Sequence, residues 1–144
     1  MTTVLKINER PYVLLLFTAI ILFFTRAFAP LAKIEYTDIT LFSIPVAKIG
    51  WIIPFLLTTI WLIYLLTRRF LYSRIISWIH VLITVTTIIL IVVLFFIGIN
   101  PNQPGSVDRQ ELIGNVSRIV FIIFVCGQSL YIFNFLLGLF TKDK

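Results

Sequence analysis

The sequence predicts an all-α integral membrane protein, a four-helix transmembrane bundle forming a single domain over residues 1–144. Three observations predict it. Hydrophobic residues fill 60% of the 144 positions and charged residues only 12%, against about 45–50% and about 25% in soluble domains. The mean hydropathy is +1.06, and so short a chain has too little interior to bury that much apolar surface against itself. The charged residues are also grouped, and they divide the chain into uncharged runs long enough to cross hydrocarbon as helices. The same composition excludes a disordered chain. The apolar runs are continuous rather than alternating, which favours helices over membrane strands: in hydrocarbon every backbone polar group has to be paired within the protein.

The first helix is expected over about 11–29. Its uncharged core runs from Pro11 to Thr25, Arg26 snorkels towards the headgroups, and Pro30 ends it. Lys6 and Arg10 before this run and Ala27-Phe28-Ala29 after it imitate a secretory signal. Pro30 would follow the cut, so the segment reads as a retained helix. An outer loop over 30–48 follows, mixing Glu35 and Asp38 with Ile39, Leu41, Phe42 and Ile44. The second helix is expected over about 49–67, between Lys48 and Arg68, with Pro54 near its start where a missing N–H costs least. The third is expected over 73–99 and stops at Asn100-Pro101-Asn102-Gln103-Pro104-Gly105. Asp108 and Glu111 have the spacing of a capping box that opens a fourth helix over 109–140.

Basic residues set the expected orientation. Lys6, Arg10, Arg68, Arg69, Arg74, Lys142 and Lys144 fall on one side of such a bundle. Arg26, Lys33, Lys48, Arg109 and Arg118 fall on the other, in longer segments. Both termini are therefore expected on the cytoplasmic side, in a bacterial inner membrane or an organellar one. The net charge of +6 reads as headgroup-facing charge, carried by Arg26, Arg68, Arg69, Arg74 and Arg118, and not as a nucleic-acid surface, because no basic run interleaves with aromatics. Tyr12, Trp51, Trp61, Tyr64, Tyr72 and Trp78 read as interfacial aromatic belts. Cys126 is the single cysteine; it has no partner for a disulfide and no metal-ligand spacing. Asn115-Val116-Ser117 matches a glycosylation acceptor but falls inside a helix at the membrane edge, and reads as chance.

Two polar ridges interrupt the apolar helices. Ser73, Ser77, His80, Thr84 and Thr87 fall on one face of helix three. Gly127, Tyr131, Asn134 and Gly138 fall on one face of helix four, with Gln128 beside them. A polar stripe on an apolar helix should face protein, because lipid cannot satisfy it. Both ridges are therefore expected to pack against helices, within the chain or in a partner. His80 is the one candidate for contact with a quinone or haem, held by partner chains. It is the only histidine, and the only methionine is the initiator, so the chain lacks the usual axial pair for a haem of its own. No metal site is expected. No Asp or Glu falls inside an apolar run, which argues against a proton-coupled transporter. No phosphate-binding loop, dinucleotide-binding loop, zinc-protease motif or nucleophile elbow is present.

Arg74 with Trp78-Ile79-His80 opens a long helix; after the proline-rich break, Ile113-Gly114-Asn115-Val116-Ser117 lies at the start of another, which carries Asn134 near its far end. In these features residues 72–138 resemble the last two helices of the catalytic subunit of haem-copper oxidases. That subunit has many more helices and a set of metal-binding histidines, whereas this chain has one histidine. The resemblance therefore implies an oxidase-like accessory chain without metal centres. Together with the missing chemistry it leads to the functional expectation: a non-catalytic integral membrane subunit of a larger, respiratory complex. Its partners would be other integral membrane subunits and lipids, met through the polar and small faces of helices three and four. The alternatives are a small homo-oligomeric transporter or channel, and a quinone- or haem-assisting anchor using His80.

Overall fold

The structure is a computed structural model that describes residues 10–28, 40–41, 44–98 and 106–142. These residues form four helices: α1 (Val13–Phe28), α2 (Val46–Thr67), α3 (Arg74–Gly98) and α4 (Ser106–Lys142). Among the described residues the only extended structure is a short antiparallel pairing of β1 (Thr40–Leu41) with β2 (Ile44–Pro45), just before α2. A 3-10 turn at Arg68–Phe70 follows α2.

Helix lengths decide which elements can cross a bilayer. At about 1.5 Å per residue, the 16 residues of α1 reach about 24 Å, short of the roughly 30 Å hydrocarbon core. Among the described residues three segments are long and apolar enough to cross: Trp51–Phe70, Arg74–Leu94 and Glu111–Thr141. Against the expected bounds of about 11–29, α1 begins at Val13, after Pro11 and Tyr12 have formed a turn. Helix α2 begins at Val46, three residues earlier than expected and inside the expected loop, so Pro54 lies in its interior and not in its first turn. Proline there cannot donate to the Gly50 carbonyl. Helix α3 keeps nearly the expected bounds, and α4 is longer at both ends. Most of the expected outer loop and the side chain of Arg26 lie outside the described residues.

The chain divides between Arg69 and Phe70 into two compact units. Within the first, α1 and α2 pack as an antiparallel pair. Tyr12, at the start of α1, stacks on Tyr64, near the end of α2, with ring centroids 6.0 Å apart. Phe23, towards the other end of α1, meets Trp51 edge-on at 5.6 Å. Tyr12 and Tyr64 are buried, so these two rings pack against each other and do not form part of an interfacial belt. Leu15, Ala19 and Leu57 complete the buried side of this unit. Its other faces carry exposed Ile21, Phe24, Phe55 and Leu66.

Within the second unit, α3 and α4 are also antiparallel, since Ser73 meets Asn134 while Ile83 meets Gly127. The buried line of α3 is Ser77, His80, Val81, Thr84, Thr87 and Ile88, and that of α4 is Val120, Gly127, Asn134 and Gly138. Ile75, Ile79, Leu82, Ile122, Ile132 and Phe140 face outward. This is the arrangement that an apolar solvent selects, with polar groups inside and apolar groups outside.

Truncation of buried Leu57 to alanine should cost about 1–2 kcal/mol of helix-pair stability, the packing part of a core truncation when lipid replaces water outside. Truncation of exposed Leu66 should cost almost nothing. Unfolding by sodium dodecyl sulfate in mixed micelles, followed by circular dichroism, measures both.

Candidate functional site

The polar residues of α3 and α4 form two adjoining hydrogen-bonded groups inside the second unit. The first lies where α3 begins. Asn134 Oδ1 accepts from the Ser73 backbone N–H at 2.8 Å, and Asn134 Nδ2 donates to the Ser73 carbonyl at 2.9 Å. The side-chain amide thus pairs with both main-chain groups of one residue. Asn134 Nδ2 also donates to Ser77 Oγ at 2.9 Å, and the Tyr72 N–H donates to the Asn134 carbonyl at 3.2 Å. Ser77 Oγ donates in turn to the Ser73 carbonyl at 3.1 Å. Asn134 is fully buried, so each of these bonds satisfies a group that hydrocarbon would leave unpaired.

Gly138 lies one turn further along α4. A Cβ there would collide with the Phe70 carbonyl oxygen, and would stand 2.7 Å from the Phe70 carbonyl carbon and 2.8 Å from the Tyr72 nitrogen. Those atoms are backbone and cannot swing aside. Glycine is therefore required for the chain entering α3 to lie directly on α4.

The second group lies about two turns deeper. His80 Nε2 is 3.0 Å from Gln128 Oε1, which can only accept, so the imidazole carries its hydrogen on Nε2 and donates it. Gln128 Nε2 donates to Thr84 Oγ1 at 3.1 Å, and Thr84 Oγ1 lies 3.3 Å from His80 Nε2, closing a triangle of three side chains. Gln128 Nε2 also reaches the Phe124 carbonyl at 3.5 Å. The Tyr131 ring lies 5.6 Å from the His80 ring, centroid to centroid, and stacks on Phe135. Gly127 lets Ile83 approach, since a Cβ there would stand 2.7 Å from Ile83 Cγ2.

The structure thus brings Ser77, His80, Thr84, Gln128, Tyr131, Asn134, Gly127 and Gly138 to one seam. Thr87 is buried on the same side and, among the described residues, bonds within its own helix, to the Ile83 and Thr84 carbonyls at 2.7 and 3.1 Å. The residues that sequence reasoning left out are backbone ones: the Ser73 peptide and the Phe70 carbonyl. A signal for them was present in the spacing of Asn134 and Gly138, which places a bonding amide one turn from a contact that needs glycine.

The arginines lie elsewhere. Arg68, Arg69 and Arg74 are exposed at the end of α2 and the start of α3, and Arg118 is exposed on α4, where Nη1 donates to Asn115 Oδ1 at 3.4 Å. Cys126 is exposed on an apolar stretch of α4. Among the described residues no group of three or more His, Cys, Asp and Glu side chains could hold a metal ion. Ligation of a haem through His80 Nε2 would require the imidazole to exchange its Gln128 and Thr84 contacts. The chemistry of the seam is that of a structural clasp: amides, hydroxyls and one imidazole, bonded to each other.

No protein-family model, curated protein or solved structure matches this chain.

Asn134→Ala should lower the stability of the α3–α4 pair by about 1–2 kcal/mol, because it unpairs the Ser73 peptide. Gly138→Ala should cost more than Gly127→Ala, whose obstruction is a side chain. Gly114→Ala meets nothing within 4 Å and should be neutral or stabilising by up to about 1 kcal/mol through helix propensity. A double-mutant cycle of His80→Ala and Gln128→Ala should give a coupling of about 0.5–1.5 kcal/mol. The same detergent titration ranks all of them.

Proposed function

We propose that this chain is a non-catalytic, multi-pass subunit of a larger integral membrane complex. The observation that carries the reading is how its polar groups are used. The side chains of Ser77 and Asn134, and those of His80, Thr84 and Gln128, bond to each other across α3 and α4, while the exposed faces of all four helices carry large apolar residues. Such a chain offers lipid or neighbouring helices a packing surface rather than a reaction centre. The bonding within the clasp also shifts the expected partner contacts. They fall on the apolar outer faces, and the His80 and Asn134 ridges serve the chain's own α3–α4 seam.

A four-helix topology with both termini on the cytoplasmic side belongs to this proposal. It requires α1 to cross despite its length, with local bilayer thinning or snorkelling of flanking arginines. The likeness of residues 72–138 to the end of an oxidase catalytic subunit points to a respiratory assembly as the complex. His80 would then stand near, and not on, any quinone or haem that partner chains hold.

The test is extraction of the tagged chain from its native membrane in mild detergent, followed by native electrophoresis and absorption spectroscopy. Migration in a particle much larger than 16.7 kDa with defined partner chains is expected, together with haem absorbance contributed by those chains. A lone monomer would overturn the subunit reading. A stable particle without haem would overturn its respiratory part alone.

A further inference from the structure

We draw no further inference here: the strongest candidate, the buried side-chain cluster of His80, Thr84, Gln128 and Tyr131 in the α3–α4 seam, belongs to the site already described, and its imidazole and amide are bonded within that seam.

Discussion

Hydrocarbon offers no hydrogen-bond partner, and a polar group left in it without one costs on the order of several kcal/mol. In water Ser77, His80, Thr84, Gln128 and Asn134 could each be solvated separately. In a bilayer each must find protein, and the nearest protein is the neighbouring helix. Asn134 shows how strong that demand is. It satisfies the Ser73 N–H, the Ser73 carbonyl and Ser77 Oγ with a single amide. The pairing of α3 with α4, the need for Gly138 and the fixed path of the chain from Phe70 to Ser73 all depend on that exchange.

The same constraint explains the division of labour between the two units. The α1–α2 pair holds together through aromatic and aliphatic packing, with Tyr12 on Tyr64 and Phe23 against Trp51. Apolar contacts of that kind are little better than contacts with lipid, so shape decides the packing. The α3–α4 pair adds directional bonds that fix helix register, because the amide of Asn134 and the imidazole of His80 each have one matching set of partners.

The polar ridges were legible because their spacing follows the helical repeat: Ser77, His80 and Thr84 on one element, Gly127, Asn134 and Gly138 on the other. Their residue types said that they should face protein. They did not say whose. A neighbouring helix of the same chain and a helix of a partner present identical chemistry to His80, and only the fold shows Gln128 at 3.0 Å. The Tyr12–Tyr64 stack was illegible for a similar reason. Tyrosine at a helix end serves equally as an interfacial anchor and as a packed ring, and the choice depends on where a residue more than fifty positions away comes to lie.

The amino-acid order by itself determined the membrane-length apolar runs, the helical class and the approximate bounds of α3, since composition, uncharged run lengths and proline positions act locally along the chain. It left open the starts of α1 and of α2, the latter beginning before Pro54 by a full two turns. Helix ends depend on capping and docking as well as on local propensity. Tertiary structure alone decided that the two polar ridges close on each other within one chain, because a hydrogen bond between residues 61 positions apart exists only once both helices lie side by side.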